Sequence, residues 1–376
     1  MAETSDIIII GGGVAGLSAA AALARHARVT VLEAEEQSGF HSSGRSATMF
    51  HYALGNPIIR ELTRASRHLF DDPPPEFEAR PAHPVPILVH ARADELDALA
   101  EAEAEMAPFS PLEPLDEAQM LKMCPILRIG EGGAVRGLAD LTSLRIDQHA
   151  LMQGYSRQLR DAGGQMRTGQ RVSAIRRSSG SWSVTSERGE RFEAAVLVNA
   201  AGAWGDVVAG LAGISPIGLR PLRRTIITFD APGGLDPARL PFVKTAVDEL
   251  YFSGESGRLF ASPMDEGESE PCDCQPDEID VATAAYRMEQ RTTVEVKKIH
   301  ARWSGLRTFS PDRTPVLGFA EGADGFLWCV GQGGAGLQTS PGAAAVVESL
   351  VIGSAWPLPD VPPAELGPGR FAGHPA

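Results

Sequence analysis

The chain has 376 residues, 43% hydrophobic and 22% charged, an ordinary globular composition with room for about two domains. A formal net charge of −14 argues against a nucleic-acid partner, because a phosphate backbone needs a cationic face. No apolar run is long enough to span a bilayer, and "MAETSDIIII" lacks a basic leader and cleavage site, so a cytoplasmic protein is expected.

The first elements read as strand, tight turn, helix, strand in "DIIIIGGGVAGLSAAAALARHARVTVLEAE". Ile7 to Ile10 form an apolar, β-branched run of the kind found in a strand covered on both faces. Gly11, Gly13 and Gly16 occupy G-x-G-x-x-G positions, which serve a turn, backbone approach to a pyrophosphate, and close helix packing. Ala19 to Ala24 strengthen a helix whose N-terminus faces the anion. "RVTVLE" delivers Glu33 about twenty residues later, where a carboxylate accepts from ribose hydroxyls and disfavours a 2′-phosphate. Glycine is abundant here, at 40 residues, so the strand, helix and acid around the motif carry its weight. The motif leaves NAD and FAD both open.

Next comes "HSSGRSA", where Ser42, Ser43, Gly44, Arg45, Ser46 and Ala47 offer hydroxyls, backbone donors and a guanidinium suited to phosphate oxygens. The plain alternative is a helix cap with a surface arginine. A Pro-rich stretch at 71–86 ends this unit. A strand "ILVHA" and an amphipathic helix over 93–106 follow, then a helix over 147–162 stopped by Gly163 and Gly164. "RVSAIRR", "SWSVTS" and "AAVLVNAAGAW" read as strands, the last running into a glycine turn at Gly202. "RTIITFD", "LYFSG" and "RLFASP" predict an antiparallel sheet. The acidic stretch 264–278 reads as a solvated loop and 280–293 as a helix. "FLWCV" is one more apolar strand before glycines and a helix, and the Pro-rich tail after Trp356 is expected on the surface.

This interleaving predicts an α/β protein with a discontinuous Rossmann-like nucleotide domain at 1–85, 146–222 and 305–376. A second domain, at 86–145 and 223–304, would carry a mixed, largely antiparallel sheet as the substrate platform. Cys124 and Cys329 read as packing residues, and Cys272 and Cys274 as part of an exposed loop. No metal site is expected, since two thiols without a second pair do not hold zinc.

Gly331, Gly333 and Gly336 repeat the G-x-G-x-x-G pattern, yet no strand or acid follows to complete a second nucleotide site. A helix N-terminus there suits an isoalloxazine ring, whose reduced form is negative near N1 and O2. The reading is therefore FAD. It is expected to be held without a covalent link, because no Cys or His stands in an attachment motif.

Together, "DIIIIGGGVAGLSAA…VTVLEAE", "HSSGRSA", "VLVNAAGAWGD", "WSGLRTFSPDRTPVLG" and "GQGGAGLQTSPG" resemble the D-amino acid oxidase/dehydrogenase family, in spacing most like bacterial FAD-dependent D-arginine dehydrogenases. The resemblance covers essentially the whole chain. It implies an FAD site of Ala15, Glu33, Ala34, Arg45, Ser46, Val172, Gly202, Trp204 and the turn Gly333, Gly334, Ala335, Gly336, Leu337 and Gln338. It further implies Arg224, Tyr251 and Arg307 as pocket residues, with Gly334 and Gln338 joining the catalytic set. Two guanidiniums and a phenol suit a substrate carboxylate, and with the carboxylate held, catalysis is mainly positioning. The alternative for both arginines is pairing with acids of the sheet, and for Tyr251 a place in the core.

The sequence departs from the arginine-specific pattern at the expected side-chain pocket. Met49, Leu54 and Ile87 stand where that resemblance places a histidine, a tyrosine and an acid, with His51 beside them. An apolar pocket would not compensate a guanidinium, so a neutral or hydrophobic D-amino acid is the expected substrate, oxidised to an imine and then hydrolysed to a 2-oxo acid and ammonia. The alternatives are a secondary amine such as sarcosine, proline or an N-alkyl amino acid, a 2-hydroxy acid, or a flavin-holding subunit without activity of its own. The electron acceptor, whether oxygen, a quinone or another molecule, stays open.

Overall fold

The computed structural model describes residues 2–372. Strand Ile7–Ile10 is buried on both faces and runs parallel to Val29–Leu32 on one side and Val196–Asn199 on the other. Phe326–Val330 extends the parallel set, and Gln165–Arg167 and Val316–Phe319 form the edges of this six-stranded sheet. The period of two explains the unbroken isoleucine run. Ile7 and Ile9 pack on the layer of helices Val14–Leu23, Gln148–Asp161 and Gly336–Ile352, whereas Ile8 and Ile10 pack with Trp182, Val184 and Phe192 of a four-stranded sheet.

The second domain is built on an eight-stranded sheet. Its order is Ile299–Phe309, Arg220–Phe229, Arg258–Ser262, Tyr251–Glu255, Phe242–Thr245, Ile87–Ala91, Arg136–Asp140 and Leu112–Leu115. All neighbours are antiparallel except Phe242–Thr245 and Ile87–Ala91. Alternation gives the sheet two apolar faces. Ile227, Phe252, Ala261 and Val243 pack under helices Glu117–Met123 and Glu278–Arg291, while Ile226, Tyr251, Phe260 and Phe242 face the first domain.

This is the expected α/β fold, a parallel nucleotide-binding sheet joined to a mixed-sheet domain. The expected boundaries at 222/223 and 304/305 nevertheless fall inside strands, because Arg220–Phe229 and Ile299–Phe309 pair along almost their whole lengths. Helix Pro57–Asp71 was not anticipated; Asn56 caps it by accepting from Ile59 N–H at 3.0 Å, with Pro57 at its start. The tail is not a surface appendage, since Leu358, Val361 and Leu366 are buried and Leu317 N–H donates to Leu366 O at 2.8 Å. The acidic loop is only partly solvated: Cys274 is buried against Ala203 and Leu306, whereas Cys272 is exposed. All four cysteines are free, and no helix among the described residues is long and apolar enough to cross a membrane.

Candidate active site

A cavity of about 450 Å³ opens where the parallel sheet meets the inner face of the large sheet. Gly11, Gly13 and Ala15 of the first turn line it, and two of the three motif glycines are required by close backbone approach. Gly11 has φ +110°, and a Cβ there would stand 2.4 Å from Ala200 O; a Cβ on Gly16 would stand 1.9 Å from Gly11 O. The N-caps of helices Val14–Leu23 and Gly336–Ile352, Gly13 and Ala335, carry no side-chain cap. Ser43 Oγ accepts Val14 N–H at 2.9 Å. Two helix N-termini thus give one cavity a positive electrostatic bias.

Glu33 ends the second parallel strand, and its carboxylate is locked in place. Oε2 accepts Gly12 N–H at 2.7 Å and Oε1 accepts Glu35 N–H at 2.9 Å, leaving lone pairs for a ribose. Ala34, Val172, Gly202 and Trp204 line the same cavity, Gly202 with φ +54°. A glycine cradle, an anion-seeking helix end and an anchored acid fit a dinucleotide.

Other members of the expected cofactor set divide. Ser42, Ser46, Ala47, Gly333, Gly334, Gly336 and Leu337 line the cavity; Gly44, Ala335 and Gln338 do not. Gly44 is a packing glycine, its would-be Cβ 2.5 Å from Gly39 O. Gln338 is buried with its amide engaged by the His51 backbone and Thr63, so its side chain braces the fold instead of facing the reaction. Ser42 donates to Leu306 O at 2.6 Å. Arg45 lines the cavity, but its guanidinium meets Asp273 at 2.5 Å and donates to Cys274 O and Ser304 O, so the expected phosphate partnership is taken by protein groups.

The large sheet brings Arg224, Tyr251 and Arg307 to the cavity. Arg224 pairs with Gly305 across the strands and Leu222 with Arg307, which makes the arginines diagonal neighbours on one face. Arg224 Nε donates to Asp265 O at 2.9 Å and Nη2 reaches Glu266 at 3.5 Å, yet Nη1 is buried without a partner. The Tyr251 hydroxyl is likewise buried and unpartnered. The Arg307 guanidinium lines the cavity and has no side-chain hydrogen bond or ion pair among the described residues. Burial, and then the charge of Arg224, pull its pKa down to about 10, so it remains cationic at neutral pH.

Met49, His51, Leu54 and Ile87 do not line the cavity. His51 stacks on Phe242 at 5.8 Å and Phe242 on Tyr251 at 5.2 Å, so this aromatic row stands between Tyr251 and the histidine. Met49 and Ile87 are packed into the core. Burial, and next Lys244, push the His51 pKa down to about 3; it is a neutral packing residue rather than an acid or base. Sequence reasoning missed Gln170 and Arg171, adjacent to Val172, and the apolar wall of Phe40, Val207 and Leu211, for which no motif exists.

The family model described as FAD dependent oxidoreductase, DAO, matches residues 6–350. FAD-dependent oxidoreductase domain-containing protein 1 of Bos taurus is 24% identical over 410 residues, spanning 93% of this chain and 82% of its own. Several other curated relatives are longer, and the chain spans only 55% to 60% of their lengths. Glycine oxidase from Geobacillus kaustophilus has a TM-score of 0.84 at 21% identity, over 100% of both chains. L-proline dehydrogenase from P. horikoshii has a TM-score of 0.84 at 19% identity, over 99% of this chain and 98% of its own. At these identities the structural likeness establishes a shared fold.

Proposed function

Because the chain belongs to the DAO family of FAD-dependent oxidoreductases, we propose that it oxidises a D-amino acid, or a closely related amino carboxylate, at the carbon bearing nitrogen. One observation carries this reading: Arg224 Nη1 and the Tyr251 hydroxyl are buried without a partner, and the half-buried Arg307 side chain lines the same cavity beside the glycine turns. Unpaired buried donors are costly, and a carboxylate is the ligand that satisfies several at once. When bound, FAD supplies an electron-accepting ring able to take a hydride equivalent. Gly11, Gly13 and Ala15 would hold its pyrophosphate, Glu33 a ribose, and the Gly333–Gly334 turn the ring end.

The residues of this chain then bind and orient. Arg307 and Tyr251 grip the carboxylate, and Arg224, fixed from behind by Asp265 and Glu266, sets the edge of the pocket. No titratable base is needed beyond the amine itself, which fits the neutral, shielded His51. The preference for hydrophobic side chains expected from Met49, Leu54 and Ile87 loses its support, because none of those residues lines the cavity. Glycine oxidase and L-proline dehydrogenase share the fold, which keeps small and N-substituted amino acids within the proposal.

The test is an anaerobic screen of D- and L-amino acids, N-methyl amino acids and 2-hydroxy acids, following the yellow flavin absorbance. Bleaching by amino or N-alkylamino acids supports the reading. A yellow protein bleached by no amine overturns it in favour of a flavin-holding subunit, and bleaching by hydroxy acids alone overturns it in favour of alcohol oxidation.

A further inference from the structure

Resting on that reading, we infer that Asp280, on a helix outside the cavity, is a positioning residue for the carboxylate site: it fixes Asp265, and Asp265 fixes Arg224. The connection starts at a gap in the large sheet. Strand Arg258–Ser262 pairs with Arg220–Phe229 only from Ile227 onward, so the edge from Arg220 to Ile226 is left open on that side. The segment after Ser262 covers it, with Glu268 bridging to Leu222, Arg223 N–H donating to Gly267 O at 2.8 Å and Ser269 N–H to Pro221 O at 3.0 Å. At Thr225 the next acceptor is a side chain. Asp265 Oδ1 takes the Thr225 N–H at 2.7 Å and Oδ2 takes its hydroxyl at 2.9 Å, while that hydroxyl accepts from Ser304 Oγ at 3.0 Å. The Asp265 carbonyl meanwhile accepts Arg224 Nε at 2.9 Å. One residue thus holds two successive positions of the strand, Thr225 on its outer face and Arg224 at the cavity.

Asp265 is held under tension. Met264, just before it, has φ +55°, a left-handed conformation that is unfavourable for a residue with a Cβ and persists only where the surroundings hold it. Thr225 holds Asp265 from one side and Asp280 from the other. Asp280 stands in the first turn of helix Glu278–Arg291, and its carboxyl group hydrogen-bonds that of Asp265. Two carboxyl groups can share such a bond only if one of them carries a proton. Burial, and next the charge of Asp265, raise the Asp280 pKa above its ordinary 3.8; Arg223 opposes the rise and Asp277 adds to it.

The charged groups around the pair come from three elements. The strand gives Arg223, 3.8 Å from both Asp277 and Asp280, and Arg224, 4.0 Å from Asp265. The helix gives Asp277, and the covering segment gives Glu266, which, despite burial, Arg313 and then Arg224 and Arg307 keep below its ordinary value. Loss of the shared proton turns a hydrogen bond into repulsion between two carboxylates. The turn at Met264 is then free to relax, the Asp265 carbonyl leaves Arg224 Nε, and the guanidinium loses its support from behind. Protonated Asp280 therefore goes with tight carboxylate binding, and affinity falls as pH rises through its titration. Arg307, with its pKa at about 10, keeps its charge throughout that range.

The experiment titrates the yellow holoprotein with methoxyacetate, a carboxylate without an oxidisable amine, from about pH 4.5 to about pH 8 at fixed ionic strength, and reads affinity from the flavin absorption shift. In the parent the affinity should fall about three- to tenfold as pH rises. Asp280→Asn, whose amide donates to Asp265 at every pH, should bind tightly throughout. Asp280→Ala, which has no donor, should bind weakly throughout. In Arg224→Gln the pH step should vanish, because the anchor through which it acts is gone. A parent without a step, a full step in Asp280→Asn or in Arg224→Gln, or equal affinities in the two Asp280 variants overturns the inference. Should Asp280→Ala fail to fold, parent against Asp280→Asn decides alone. Bleaching by amino acids, followed in parallel, separates the two levels. Bleaching without the step sinks the positioning role only; the step without any bleaching sinks the amine oxidation and leaves Asp280 its role. Absence of methoxyacetate binding in every protein removes the carboxylate site and both readings with it.

Discussion

Gly334 lies against the guanidinium of Arg307: a Cβ built on the glycine would stand 2.8 Å from Arg307 Cζ and 2.9 Å from Nε. The contact joins the carboxy-terminal glycine turn to the large sheet and makes a backbone position into a determinant of side-chain placement. The clashing atoms belong to a long side chain that can move, so Gly334→Ala should leave the fold intact and displace the guanidinium. We expect substrate KM to rise about tenfold in the fraction that retains flavin, the size of a misplaced charge-assisted contact. An unaltered KM would detach Arg307 from the substrate.

Tyr251 carries a buried hydroxyl with no protein partner. An unsatisfied buried hydroxyl costs about 1–3 kcal/mol, so Tyr251→Phe should leave the ligand-free melting temperature unchanged or raise it. The same substitution should raise the KM for a carboxylate substrate about tenfold. Thermal unfolding paired with steady-state kinetics reads both. Lower stability with unchanged KM would make Tyr251 a core residue, as its stacking on Phe242 alone would have it.

Gly16 has no such freedom, because a Cβ there would meet Gly11 O, a backbone atom, at 1.9 Å. Gly16→Ala should push helix Val14–Leu23 off the turn and release FAD, seen as loss of yellow colour at normal protein yield. Gly210 is the internal control, since it lies near the end of helix Gly205–Leu211 with open space around its would-be Cβ. Gly210→Ala should keep the flavin and stabilise by about 0.5–1 kcal/mol. Equal flavin retention in both variants would contradict the cradle.

What the sequence disclosed was local chemistry. Gly11, Gly13, Gly16 and Glu33 lie within one strand–turn–helix–strand unit, so their spacing alone specifies the geometry. Arg224, Tyr251 and Arg307 were legible only through resemblance, for their convergence depends on register between strands far apart in the chain. Gln338 failed for the complementary reason: it sits in a matching motif, but tertiary hydrogen bonds turn its side chain inward. His51, beside aromatics in the sequence, stacks on Phe242 as a core histidine does, and so drops out of the expected pocket. Arg45 likewise read as a phosphate ligand because nothing local announces that Asp273, in a distant loop, closes on it. Cys274 was misread because an acidic, Pro-containing loop looks solvated whether or not one residue plugs a gap between Ala203 and Leu306.

His51 and His90 make acid stability a further test. Burial, first, pushes each pKa down to about 3, with Lys244 adding to the shift at His51 and Arg291 at His90. In the unfolded chain both titrate near the ordinary value of 6.5. Below that value the unfolded state binds protons that the folded state refuses, so stability falls as pH drops from 6.5 towards 3 and is fully present above 6.5. Each histidine contributes a slope of about 1.4 kcal/mol per pH unit within that window. Above about pH 5 most carboxylates are already ionised, which leaves the histidines as the main source of slope between pH 5 and 6.5. His90 has both ring nitrogens buried and unpartnered, so His90→Leu should remove its share of the slope without exposing a new polar group. Denaturant unfolding of both proteins at pH 5 and pH 7 measures the difference. If the variant loses as much stability over that interval as the parent, His90 is protonated in the folded state and its environment is not the apolar one that strand Ile87–Ala91 gives it.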